Sequence, residues 1–88
     1  TGTYAEATGS RQAVEIERLR TAARRASGMG LRVHAGHGLH YHNVEHVAAI
    51  REIVELNIGH SIIARAVFAG LPAAVRDMRA LMDAARAR

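Results

Sequence analysis

Two stretches of this chain are built alike, and together they constrain its fold more than any other feature. Val33-His34-Ala35-Gly36-His37-Gly38 runs a short apolar segment into a Gly-His-Gly turn, and Leu56-Asn57-Ile58-Gly59-His60-Ser61 runs another into Gly-His at the start of a helical pattern. Each reads as a β-strand that stops at a glycine, and a helical segment separates the two. A strand, helix, strand succession of this length implies parallel pairing with a right-handed crossover. Both histidines are then carried to the same end of adjacent strands. In α/β sheets that end is where ligands bind.

The rest of the chain fits an α/β reading. A helix is expected from Ser10 to Gly28, with Ile16, Leu19, Ala23 and Ala26 at helical spacing and Gly28 and Gly30 ending it. Leu31 to Ala35 is expected as the first strand. Asn43 is placed to cap a second helix with Val47, Ile50 and Val54 on its inner face, and Glu55 to Ile58 is expected as the second strand. Ser61 to Ala69 reads as a short helix ending at Gly70. Pro72 stands in the first turn of a last helix whose inner stripe is Val75, Met78, Met82 and Ala85.

Composition excludes several classes of function. All 12 basic residues are arginine and the net charge is +4, but the cations are spread over helices among glutamates. Arg11, Glu15, Glu17, Arg18, Arg20, Arg24 and Arg25 read as one solvated helix face rather than as a nucleic-acid footprint. The chain has no cysteine, so disulfides and thiolate chemistry are absent, as suits a reducing cytoplasm. No apolar run reaches the length of a membrane span.

The chemistry-bearing candidates are histidines. His37 lies between two glycines that put no side chain in the way of a substrate, and imidazole exchanges protons near neutral pH. It reads either as a general acid-base group or as a turn residue bonded to backbone. Gly59, His60 and Ser61 open a helix, where free N–H groups and the helix dipole favour an anion, although Ser61 can equally be an ordinary N-cap. His42-Asn43-Val44-Glu45-His46 matches the H-x-x-E-H zinc motif in letters. A third ligand has to come from elsewhere, and Asn43 would cap the helix the motif has to occupy, so no metal is expected there. His34 reads as a satisfied buried or layer residue rather than a ligand.

The runs AGHGLHYHNV and ELNIGHSIIARAVFAGL, in this order and spacing, resemble the C-terminal third of the pyridoxine 5′-phosphate synthase family. Thr1-Gly2-Thr3-Tyr4-Ala5 resembles the segment just after the sixth strand there, so the resemblance spans the whole chain. It implies the C-terminal portion of a TIM (β/α)8 barrel, residues 1–88 being an incomplete segment of a single domain. That segment would hold the sixth helix, seventh strand and helix, eighth strand, a short phosphate-binding helix and the final helix: two parallel strands, three main helices and the short one. The implied activity condenses 1-deoxy-D-xylulose 5-phosphate with 3-amino-2-oxopropyl phosphate to pyridoxine 5′-phosphate, phosphate and water. His37 would be a proton donor, and Gly38, Gly59 and His60 would bind the amino-ketone phosphate. A glutamate and another histidine of the family site would lie on earlier strands. The resemblance implies no metal or organic cofactor, a cytoplasmic enzyme and a homo-oligomer. His42 belongs to the family's YHN signature; His40 and His46 do not, and His34 stands where a smaller amide is usual. The other readings open are a different phosphate-binding barrel enzyme, an isomerase or lyase, and a non-enzymatic half-barrel module that buries Val75, Met78 and Met82 across a dimer.

Overall fold

The computed structural model describes residues 1–87. Its elements run α1 (Gly2–Glu6), α2 (Ser10–Gly28), β1 (Val33–Gly36), α3 (Val44–Ala48), β2 (Ile53–Asn57), α4 (His60–Ala69) and α5 (Leu71–Arg86). The two strands pair in parallel, as expected. The five helices exceed the expected set by α1, a short helix in an opening segment whose residues show only turn character.

Helix α2 has the expected bounds because both its face and its end are encoded locally. Ala23 is buried, Ile16 and Leu19 pack on the same core, and the helix closes in a Schellman arrangement around Gly30. There the Leu31 N–H donates to the Ala26 carbonyl at 3.1 Å and the Gly30 N–H to that of Ser27 at 3.0 Å, with Gly30 at φ +83°. One part of the polar face departs from expectation. Glu15 is buried, on a helix that α1 contacts, and it accepts from the Arg18 guanidinium at 2.7 Å.

Both strand boundaries shift from the sequence reading. β1 starts at Val33 rather than Leu31 and includes Gly36; β2 starts at Ile53 and ends at Asn57, instead of running from Glu55 to Ile58. The register steps from Val33↔Ile53 to His34↔Glu55, leaving Val54 as an extra residue on β2. Helix α3 is correspondingly only five residues long. Ile50 is buried beyond its end and Val54 is exposed on the strand, so the expected inner face of one helix is divided between three pieces of chain.

The helices cover one face of the sheet. Tyr4, Ala23, Leu39, Val47, Ile50 and Ile53 form one core, onto which Val33, Ala35 and Leu56 pack. A second cluster, Tyr41, Val44 and Met78 with Met82 and Leu81 beside it, seats α5 on α3 and β2. Ala85 is buried as expected, but Val75 is 47% exposed and drops out of the inner stripe. Arg86 pins the last turn of α5 by donating to the Ile50 carbonyl at 3.1 Å and to that of Ile53. By strand alternation, His34 and Glu55 occupy the uncovered face. There His34 is exposed rather than buried, and its Nδ1 lies 3.3 Å from a Glu55 carboxylate oxygen. No helix among the described residues is long and apolar enough to cross a membrane.

Candidate functional site

The ladder ends at Gly36↔Asn57, and the two strands leave it differently. After β1 comes a seven-residue loop before Val44. Its first residue, His37, is the one non-glycine at positive φ among the described residues (φ 90°), and Gly38 follows at φ +76°. A non-glycine residue in this region is strained and persists only where its surroundings hold it. The Thr1 hydroxyl supplies part of that hold, shared between the carbonyls of Gly36 and His37, the latter at 2.6 Å. The His37 ring lies against Gly2, where a Cβ would come within 3.0 Å of its Cδ2. Gly36 is required for another reason: a Cβ there would sit 2.7 Å from the Asn57 carbonyl oxygen.

Asn43 stands at the N-cap position of α3 but makes no side-chain cap, contrary to expectation. Its amide faces backwards into the loop. Oδ1 accepts from the His40 N–H at 2.7 Å and Nδ2 donates to the Gly38 carbonyl at 3.0 Å, which satisfies a buried amide and fixes the turn that carries His37. Behind it the Tyr4 hydroxyl donates to the Asn43 carbonyl at 2.6 Å, and burial raises the Tyr4 phenol above its ordinary value.

After β2 the chain enters α4 within two residues. Gly59 is the N-cap at φ −125°, outside the left-handed region. The first α4 carbonyl acceptor is that of Gly59, which takes the Ile63 N–H at 3.0 Å; the N–H groups of His60, Ser61 and Ile62 therefore lack intrahelical partners. Ser61 is not the cap: its hydroxyl donates to the Leu39 carbonyl at 2.9 Å.

All four residues expected in the site, His37, Gly38, Gly59 and His60, line one open cavity of about 460 Å³ at this end of the sheet. His37 and His60 are both exposed. The lining contains three histidines, His40 being the third, and no carboxylate, so nothing in the wall repels an anion. His34, His42 and His46 lie outside this lining. His42 precedes α3 and His46 lies within it, so the two do not share a helix face, and no cluster of three or more potential metal ligands occurs among the described residues. Sequence reasoning missed Thr1, and it placed Ser61 at the anion site or as an N-cap without the bond its hydroxyl makes to Leu39. Their hydroxyls serve carbonyls 35 and 22 positions away, and no local pattern signals such pairs.

A family model described as "Pyridoxal phosphate biosynthesis protein PdxJ" matches residues 1–84. The pyridoxine 5′-phosphate synthase of Legionella pneumophila (strain Corby) is 60% identical over 87 residues, covering 98% of this chain and 35% of the relative. That of Idiomarina loihiensis is 59% identical over 87 residues, with 98% and 36% covered, and that of Pseudoalteromonas translucida 57% over 88 residues, with 99% and 36% covered. The chain thus spans about a third of the length of these curated relatives.

Proposed function

Because this chain belongs to the pyridoxal phosphate biosynthesis protein PdxJ family, we propose that it is the C-terminal portion of a (β/α)8-barrel pyridoxine 5′-phosphate synthase. In this reading residues 1–88 are one segment of a single domain, and α4 is the short phosphate-binding helix. The whole enzyme would condense 1-deoxy-D-xylulose 5-phosphate with 3-amino-2-oxopropyl phosphate to pyridoxine 5′-phosphate, phosphate and water. By family likeness it is a cytoplasmic homo-oligomer. The uncovered sheet face, with His34 and Glu55 exposed on it, is the face that barrel closure would enclose.

The observation that carries the reading is the shared cavity at the strand ends, lined by His37 and Gly38 from one junction and Gly59 and His60 from the other. Imine formation, dehydration and phosphate loss each move protons, so ring closure needs several acid-base groups. His37 is proposed to donate one of these protons. Its loop holds the imidazole exposed at the cavity while Thr1, Gly2 and Asn43 fix the backbone around it. The N–H groups at Gly59 and His60, with Gly38 as the opposite wall, are proposed to take the phosphate of the amino ketone. A Cβ at Gly59 would meet no protein atom within 4 Å, so the space beside it is open to an approaching phosphate oxygen.

The test is turnover of the two named substrates by the protein as its gene encodes it, monitored as pyridoxine 5′-phosphate formed. Product formation supports the assignment. Failure with this pair, alongside isomerase or lyase turnover of another phosphorylated substrate, would refute it.

A further inference from the structure

The two junctions are separate loops, and the strand ladder stops at Gly36 and Asn57, short of both. Beyond that rung, one face of α4 reaches across to the first loop at two points. Ser61 donates its hydroxyl to the Leu39 carbonyl at 2.9 Å, one residue past Gly38. Arg65, one turn further along, lies over the Tyr41 ring with its guanidinium carbon 3.5 Å from the centroid. Helix α5 backs this contact, since Asp77 pairs with Arg65 at 3.3 Å and the Ala74 carbonyl accepts from the Tyr41 hydroxyl at 2.7 Å.

We propose that Ser61 is a positioning residue: its hydroxyl, seconded by Arg65 on Tyr41, sets the separation between the His37–Gly38 turn and the Gly59–His60 N–H groups, so that both act on one bound molecule. The proposal rests on the reading of these four residues as proton donor and phosphate cradle. Its physical basis is that Gly38 and Gly59 have no side chains with which to hold each other. Gly38 is moreover at positive φ, in a loop where the Gly38 carbonyl and the His40 N–H are both held by the Asn43 side chain. Loss of the Ser61 hydroxyl leaves the part-buried Leu39 carbonyl without this donor and lets the braced turn, Gly38 with it, shift as a unit relative to the cradle. The phosphate, which needs both walls, is then bound more weakly. The ligand that does not use this cradle is unaffected.

The experiment compares Ser61→Ala and Ser61→Thr with the unaltered protein as its gene encodes it, by steady-state kinetics and by titration with inorganic phosphate. Ser61→Ala should raise KM for 3-amino-2-oxopropyl phosphate and Kd for inorganic phosphate together, by about 3- to 10-fold, the range a neutral hydrogen bond commands. KM for 1-deoxy-D-xylulose 5-phosphate should stay within about 2-fold, and Ser61→Thr, which keeps a hydroxyl, should restore both values. An unchanged phosphate Kd in Ser61→Ala, or an equal rise in both KM values, would overturn the positioning role and reduce Ser61 to a structural contact. If the unaltered protein binds phosphate but does not turn over the two substrates, the phosphate titration alone decides the role of Ser61, while the synthase reading falls. A protein that binds neither phosphate nor the amino ketone overturns both.

Discussion

The chain writes strand, glycine, histidine twice, and the structure solves the two instances in opposite ways. At the first junction the backbone is forced: His37 and Gly38 both take positive φ, and Thr1, Gly2, Tyr4 and Asn43 converge to hold them. At the second no residue is forced into positive φ, and Gly59 at φ −125° leads straight into α4. A forced, buttressed turn costs stability and fixes the direction of one side chain. A relaxed entry to a helix costs little and offers backbone N–H groups. The same Gly-His pair is thus proposed to present a proton donor at one place and an anion cradle at the other.

The largest effect should come from removing the imidazole that the first junction presents. His37→Ala should lower kcat by about two to four orders of magnitude, the range of a positioned proton donor, with KM for the amino-ketone phosphate nearly unchanged. Steady-state kinetics measures this. A variant with near-normal kcat would remove His37 from the chemistry and leave the first junction without a function distinct from the second.

Next in size is the difference in backbone strain. Gly38→Ala should destabilise the fold by about 1–3 kcal/mol, because an L residue resists φ +76° and the new Cβ would lie 2.7 Å from the Cβ of Ala5. Gly59→Ala should be nearly neutral to folding, since φ is negative and no atom lies within 4 Å of the added Cβ. Denaturant unfolding of the pair gives the comparison directly. Equal losses would erase the contrast between a forced and a relaxed junction.

The legibility of these features tracked their range. The bounds of α2 were readable because its apolar stripe and its closing glycines are local. The Gly-His strand ends were readable for the same reason. Val47, Ile50 and Val54 misled because a helical spacing continued by chance across a helix end and into a strand; Ile50 and Ile53 enter the same core from different pieces of chain. Asn43 was recognised as a residue made for local hydrogen bonding. Whether it caps α3 or turns back to Gly38 and His40 depends on a loop conformation that its own neighbours do not specify. α1 and the burial of Glu15 were illegible, for α1 is held by Tyr4 reaching Asn43, 39 positions away. For His34, read as a buried or layer residue, alternation gives a face but not what covers it, and that face is exposed here.

A smaller effect would sharpen how the first junction is held. The Tyr4 phenol lies above its ordinary value of 10.0 because burial penalises the phenolate. Since the folded value is the raised one, the contribution of the hydroxyl is fully present below the unfolded value and is lost as pH rises through the folded one. The stability gap between the unaltered protein and Tyr4→Phe should therefore be widest near about pH 8 and narrow by about pH 11, as thermal melts at the two values would read. A gap that does not change with pH would mean that Tyr4 braces the loop by packing alone.

The central claim is that one molecule meets both junctions, its phosphate on the relaxed one and its reacting atoms at the forced one. A crystal structure of the protein as its gene encodes it, bound to 3-amino-2-oxopropyl phosphate, tests this most directly. Phosphate oxygens are expected within about 3 Å of the backbone nitrogens of Gly59 or His60, with Gly38 on the opposite wall and the His37 imidazole facing the same molecule. The amino-ketone phosphate bound elsewhere, with only solvent at the Gly59–His60 amides, would contradict it.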